Sequence, residues 1–343
     1  MALTTSTGVD WINRREAGRV NLLGVRIDGL SQAAIVEHVL GSLENGNGGW
    51  LITLNVDIMR RLFRNPVLRM LADRADLVVA DGTPIVWACR ILGSPVAERV
   101  AGADLVVALS EAAAAGRRSV FVLGGDPGVA EEAGHRLCAA SPGLDFRGGY
   151  CPPWGFERSE QAMQGIIEAL AQAAPDIVYC GLGFPKQERL ILKLRELFPH
   201  TWFIGSGASH VFVAGQFPRA PRWMQRSGLE WLHRLWQEPE RLFRRYLLDD
   251  APFALWLLAG SLLCRCVPKD SRLSPARNRM RAPAGEDTDW PGDDVVQMGN
   301  GHNHNGNGSG SGNGNGKHRR APGPTAVGRR FQAMPQWSPD DDA

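Results

Sequence analysis

Three apolar runs in this 343-residue chain end on polar residues of the kinds that bind or activate a substrate. The run DLVVA (76–80) stops at Asp81, which is followed by Gly82, Thr83 and Pro84. A carboxylate there would stand at the carboxyl edge of a sheet, where ligands bind, and could take a proton as a general base. The same residue reads equally well as the cap of a helix begun by Pro84. The run GWLITLNVD (49–57) ends with Thr53 and Asn55, a hydroxyl and an amide, although a plain turn needs no more. The third stretch is PDIVYCGLGFPKQE (175–188). A short buried strand gives way to Gly181 and Gly183, and Pro185 sits where a first helical turn begins. Free N–H groups at such a turn hold phosphates, and Lys186 and Gln187 stand at its mouth. An ordinary βα turn with solvated side chains accounts for the same letters. LGGDPG (123–128) follows a strand too but lacks the GxGxxG spacing, so it is a weak dinucleotide signal.

These residues need a scaffold, and the periodicity supplies one. A strand hairpin is predicted over 20–30, then a helix over 31–43 with Ser31 as N-cap. Strands over 49–57, 76–82, 118–124, 144–150, 176–181 and 201–205 alternate with helices, one of them running over 58–75. This predicts an α/β fold: a Rossmann-like parallel sheet with helices on both faces and right-handed crossovers. The core is expected over 19–215, after a flexible N-terminus (1–18) without a signal-peptide pattern. Residues 216–267 form an Arg-rich helical appendage, with Arg219, Arg222, Arg226, Arg234, Arg241, Arg244 and Arg245. Apolar stripes (Leu229, Leu232, Trp236; Leu242, Phe243, Tyr246, Leu247) place it on two helices divided near Pro239. The apolar run 251–267 is too short to cross a bilayer as a straight helix. An amphipathic basic element beside such a run is expected to lie in the membrane interface, each arginine gaining about 1 kcal/mol from anionic lipid. Residues 268–343 form a Gly/Asn/Pro-rich tail, expected to be disordered, in which His302 and His304 read as solvated linker.

Composition narrows the classes. With 44% apolar residues the chain can bury a large core, and a net charge of +2 argues against a general nucleic-acid binder. Its six cysteines include no CxxC pair and no His/Cys metal spacing, which fits a reduced, cytoplasmic protein.

Four blocks, ADGTPIVWACRILG (80–93), ERVAGADL (98–105), GLGFPKQE (181–188) and RAPRWMQRSGLEWLHRLWQEPERLFRRYL (219–247), resemble the WecG/TagA/CpsF glycosyltransferase family (glycosyltransferase family 26). The resemblance runs from about residue 20 to 247. It implies an inverting, metal-independent transferase, peripheral on the cytoplasmic face of a bacterial inner membrane. The reaction implied moves a hexose (glucose, N-acetylmannosamine or its uronic acid) from a UDP-sugar to a polyprenyl-diphosphate-linked sugar, in exopolysaccharide or cell-wall polymer assembly. It also implies roles: Asp81 as base, Thr53 and Asn55 on the sugar or diphosphate, and Gln187 as an active-site amide, with Gly183 and Lys186 in the same turn. Arg99 and Asp104 line the pocket or pair with each other. Asp57 departs from the proline-containing version found in many N-acetylmannosamine transferases and leaves the donor open. Glu188 reads as well as helix-dipole decoration. The Asp-x-Asp matches, Asp287/Asp289 and Asp340/Asp342, fall in the tail, so arginines rather than a metal are expected at the donor diphosphate. Arg219, Arg222 and Arg226 are the candidates. No cofactor is implied, and a homo-oligomer stays open. Two other classes compete: a nicotinamide-dependent oxidoreductase, disfavoured by the missing fingerprint, and a non-catalytic nucleotide-sugar-binding scaffold, disfavoured by the intact Asp81, Thr53 and Gln187.

Overall fold

Five of the six sheet strands are apolar almost throughout and leave no polar face, so the sheet they form must be covered on both sides, while the sixth, DFRGGY (145–150), is half-exposed and stands at an edge. The structure, a computed structural model, describes residues 18–93, 96–207, 209–215 and 218–266. The expected loose N-terminus up to residue 17, the tail from 268 and its Asp-x-Asp matches lie outside the described residues.

The hairpin is present as β1 (Arg19–Leu22) and β2 (Val25–Asp28), paired antiparallel. Helix α1 (Gln32–Glu44) starts where expected, with the Ser31 hydroxyl accepting from the Ala34 N–H at 3.2 Å. Strand β3 (Gly49–Leu54) leads to α2 (Val56–Arg64) and α3 (Pro66–Ala72). Periodicity joined these two helices over 58–75, but they are separate. Pro66 disfavours helical backbone at Asn65, whose side chain instead accepts from Val67 and Leu68 N–H and starts a new helix. There follow β4 (Leu77–Ala80), α4 (Thr83–Ile91), α5 (Gly102–Ala115), β5 (Ser119–Gly124), α6 (Val129–Ala140) and β6 (Asp145–Tyr150). Then come α7 (Glu160–Ala173), β7 (Ile177–Gly181), α8 (Lys186–Leu197), β8 (Trp202–Gly205) and the short α9 (Ser209–Val213).

The six strands β3 to β8 pair in the order β4-β3-β8-β7-β5-β6, every pair parallel. One face is packed by α2, α3, α4, α7, α8 and the hairpin, the other by α1, α5 and α6. The fold is therefore the expected Rossmann-like α/β sandwich. Its carboxyl edge brings the ends of β4, β3, β8 and β7 side by side.

The C-terminal part contains α10 (Arg222–Ser227), α11 (Glu230–Gln237), α12 (Pro239–Phe243), a π-helical turn (Arg244–Asp250) and α13 (Ala251–Cys266). The π turn joins α12 to α13 without a break. Pro239 to Arg265 thus makes one helical run of 27 residues, long and apolar enough to cross a membrane by length and composition. The apolar stretch 251–267 alone remains too short; α12 and the π turn supply the added length. One side of α13 packs on the core: Phe253 and Leu257 are buried there, and Phe63 of α2 lies 6.0 Å from the Phe253 ring and 4.9 Å from that of Trp256. Its other side exposes Leu255, Leu262 and Leu263.

Candidate active site

The floor of the site is the sheet edge. Backbone hydrogen bonds carry β4 one step beyond its end: the Asp81 N–H donates to the Leu54 carbonyl at 2.9 Å, and Val100 N–H to Ala80 at 2.8 Å. The Asp81 carboxylate accepts from the N–H of Gly102, the first residue of α5. Gly102 is hemmed in, since a Cβ there would lie 2.7 Å from Ser209 Oγ and 3.5 Å from Thr53 Oγ1. The Thr53 hydroxyl donates to the Gly205 carbonyl at 2.7 Å, and a side chain at Gly205 would meet Gln187 Nε2. Asp81 and Thr53, from two strand ends, and Gln187, from the first turn of α8, are thereby linked by close backbone approaches.

Gln187 and Glu188 are both buried, and the Gln187 amide donates to Glu188 Oε1 at 2.8 Å. Gln187 Oε1 and Glu188 Oε2 are buried without a partner among the described residues. Groups left this way cost free energy unless water or ligand meets them. Burial pushes the Glu188 carboxyl up to about 7, against the pull of its own backbone N–H and the Gln187 amide. It is not the exposed dipole decoration its sequence position suggested. Asp81 is pushed up to about 6, chiefly by loss of hydration. Glu230 adds to that rise, while Arg99, Arg234 and the Gly102 N–H oppose it.

The other expected residues are placed less centrally. Asn55 caps α2, its side-chain oxygen accepting from Ile58 N–H at 3.0 Å. Gly183 sits in the β7–α8 turn with φ +82°. Lys186 pairs with Glu157 at 2.7 Å and lies 4.9 Å over the ring of Trp154, which is 93% exposed. Asp57 belongs to an ion cluster. Its carboxylate faces Arg60 (2.7 Å), Arg61 (3.1 Å) and Arg245 (3.6 Å), and Asp250 of the π turn joins Arg60 and Arg245.

The appendage supplies the roof. Arg99 and Asp104 do not pair with each other. Arg99 bonds Glu230 of α11 at 3.0 Å, and Arg219 forms a two-pronged pair with Asp104 and reaches Glu230 at 3.5 Å. Gly228 ends α10 in left-handed backbone (φ +77°), and a Cβ there would lie 2.7 Å from Thr83 Cγ2. The α10–α11 turn therefore rests on the first residue of α4, two positions beyond Asp81. Beside this contact lies a cavity of about 400 Å³, lined by Thr83, Trp87 and Arg90 of α4, Arg99, and Arg222 and Gln225 of α10. Arg226 lies in α10, and its side chain is outside what the structure describes. Among the described residues, no three His, Cys, Asp or Glu side chains converge as metal ligands would.

Sequence reasoning missed Arg90, Trp87, Glu230 and Arg234 as site residues. A signal existed for the first two: Thr83, Trp87 and Arg90 stand at i, i+4 and i+7, one face of a helix. Glu230 and Arg234 are similarly one turn apart on α11, but nothing local aims them at Asp81.

Known proteins resemble this chain over most of its described length. A Bacillus spizizenii N-acetylglucosaminyldiphosphoundecaprenol N-acetyl-beta-D-mannosaminyltransferase is 32% identical over 60% of this chain and 77% of its own. A Staphylococcus aureus protein of the same name is 28% identical over 72% of this chain and 94% of its own. A solved arylmalonate decarboxylase aligns with 14% identity, over 56% of this chain and 79% of its own, at a TM-score of 0.22, too slight a likeness to inform the fold. The model of the glycosyl transferase WecG/TagA/CpsF family matches residues 20–265, which takes in both the sheet edge and its roof, and the chain belongs to that family.

Proposed function

We infer that this protein is an inverting hexosyltransferase that moves a sugar from a UDP-sugar to a polyprenyl-diphosphate-linked sugar. The observation that carries this reading is Asp81, at the carboxyl edge of the sheet, held by Gly102 N–H and roofed by Arg99, Arg234 and Glu230. A dehydrated carboxylate with a raised pKa is a competent general base near neutral pH. In the reaction Asp81 takes the proton of the acceptor hydroxyl. The hydroxyl oxygen forms a bond to the anomeric carbon as the bond from that carbon to the UDP oxygen breaks. UDP leaves with the electron pair, and nearby guanidinium groups offset its growing charge. Thr53 and Gln187 orient the donor, and the unpartnered Gln187 Oε1 is an acceptor for a sugar hydroxyl.

The relatives' names specify a diphosphoundecaprenol acceptor and an N-acetylmannosaminyl donor group. For this chain the donor hexose is glucose, N-acetylmannosamine or its uronic acid. Residues 19–215 act as the catalytic core and 216–267 as an appendage that rests on the inner leaflet's cytoplasmic surface. The bare Leu255, Leu262 and Leu263, with exposed Trp223 and Trp236, face the lipid. Incubating the full chain with a panel of UDP-sugars and a short-chain prenyl-diphosphate sugar, with and without excess EDTA, tests this. Transfer from one UDP-sugar, undiminished by EDTA and with the anomeric configuration inverted, is the expected result. A strict divalent-metal requirement would overturn the arginine account of the leaving group.

A further inference from the structure

Most arginines near the site are already neutralised. Arg99 has Glu230, Arg219 has Asp104 and Glu230, and Arg60 and Arg245 have Asp57 and Asp250. The cavity between α4 and α10 is different. Among the described residues, neither Arg90 nor Arg222 forms an ion pair, yet both line the same 400 Å³ space. Two guanidinium groups converging on one concave surface without a carboxylate focus positive potential there and favour an anion of matching charge. A diphosphate is such an anion.

What surrounds the cavity decides which diphosphate. It begins at Thr83, two residues beyond Asp81, and extends along α4 to Arg90, about 10 Å by helical rise. A sugar therefore has room between phosphates held at Arg90 and the base. At the far end α13 packs against α4, with Arg265 donating to the Ile91 carbonyl at 3.4 Å. The outer side of α13 presents Leu255, Leu262 and Leu263, and Trp87 on the cavity wall is 43% exposed. Polar base, cationic middle and apolar exit follow one another along α4, in the order sugar, diphosphate and hydrocarbon chain occur in a prenyl-diphosphate sugar.

We propose that the α4–α10 cavity is the acceptor subsite, in which Arg90 and Arg222 hold the diphosphate of the prenyl-linked sugar while the chain leaves over α13. This rests on the glycosyltransferase reading above and goes beyond it in separating acceptor phosphates from donor phosphates, which moves Arg222 from the donor diphosphate, where the sequence placed it, to the acceptor's.

The test uses the full chain, with Arg90→Gln and Trp87→Ala as variants; both side chains are exposed, and unchanged thermal midpoints verify folding. With a short-chain acceptor, Arg90→Gln should raise the KM for acceptor at least tenfold and leave the KM for UDP-sugar within twofold. Trp87→Ala should raise the acceptor KM about threefold. Separately, calorimetry with farnesyl diphosphate should show binding that Arg90→Gln weakens tenfold, with farnesol a poor competitor. A rise in donor KM alone would assign the cavity to UDP and overturn the proposal. Unchanged values for both substrates would overturn it as well. Farnesyl diphosphate binding by a protein that transfers no sugar would sink the catalytic reading and leave the cavity's ligand class standing. Transfer without any Arg90 effect would do the reverse.

Discussion

The floor and the roof of the site are built by different physics. The floor is the edge of the sheet, where Asp81, Thr53, Gln187 and Gly102 are fixed by backbone geometry and short uncharged hydrogen bonds. The roof is held mainly by ion pairs, Arg99–Glu230 and Arg219–Asp104 among them, whose side chains remain roughly one-fifth to two-fifths exposed. Pairs of that kind contribute little stability each and weaken with salt. The floor should thus set what chemistry is available, and the roof how tightly and under what conditions it operates. Beneath the roof, however, α13 is anchored by apolar contact, with Phe253 and Leu257 buried against α2 and α4.

That division can be broken or sharpened by substitution. Asp81→Asn keeps shape and hydrogen bonding but removes the base; turnover should fall roughly 10²-fold or more with UDP affinity little changed. Near-normal turnover would reduce Asp81 to a helix cap. Phe253→Ala should cost about 3–4 kcal/mol in urea unfolding, the range for a buried aromatic. A loss below about 1 kcal/mol would mean that α13 peels from the core without unfolding it.

Glu188 probes the floor through pH. Its folded pKa of about 7 lies above the ordinary glutamate value of 4.5, so between those values the native state holds a proton that the unfolded chain releases. Stability is greatest below pH 4.5 on this account and falls as pH rises to about 7. Glu188→Gln removes the penalty while keeping an acceptor for the Gln187 amide. It should gain about 2 kcal/mol at pH 8 and almost nothing at pH 4, read from chemical denaturation. An equal effect at both pH values would disprove the titration. The smallest expected effect belongs to the roof. The acid limb of kcat/KM should lie near pH 6, because Asp81 must be deprotonated to act. Glu230→Gln removes a negative neighbour and should move that limb to lower pH by less than one unit. A limb that moves upward would contradict the arrangement of charges around Asp81.

The floor was legible in the sequence for the reason it is rigid. Buried parallel strands are continuous apolar runs such as LVVA and VFVLG, and a polar residue at the end of one must stand at the sheet's edge. Asp81 and Thr53 are placed on that ground, and Gln187 by the glycine turn and Pro185 that open the helix after the next strand. The roof was not legible, because its contacts join residues far apart in sequence. Nothing near Arg99 announces Glu230, 131 positions away, and nothing near Asp57 announces Arg245. Nor does anything near Lys186 announce its ion pair with Glu157, which sits in a 3-10 turn 29 positions earlier. The strand order was equally hidden, since periodicity identifies strands but not their neighbours. Boundaries were less legible: the strand expected over 49–57 ends at Leu54, where Asn55 caps a helix, and the single helix expected over 58–75 overlooks the Asn65-Pro66 break.

The position of β8 has a consequence for how the molecule comes into being. It is the last strand of the sheet in the chain, yet it lies at the centre, between β3 and β7. Until residues 202–205 leave the ribosome, the nascent chain can pair its strands only as two fragments, β4-β3 and β7-β5-β6, each with an edge left for the same strand. The bond from Thr53 to Gly205 spans 152 positions and closes only at that moment. The sheet therefore cannot close before its final strand is available, and a chain arrested before Trp202 should aggregate more readily in a pull-down of stalled nascent chains than one arrested after Gly205.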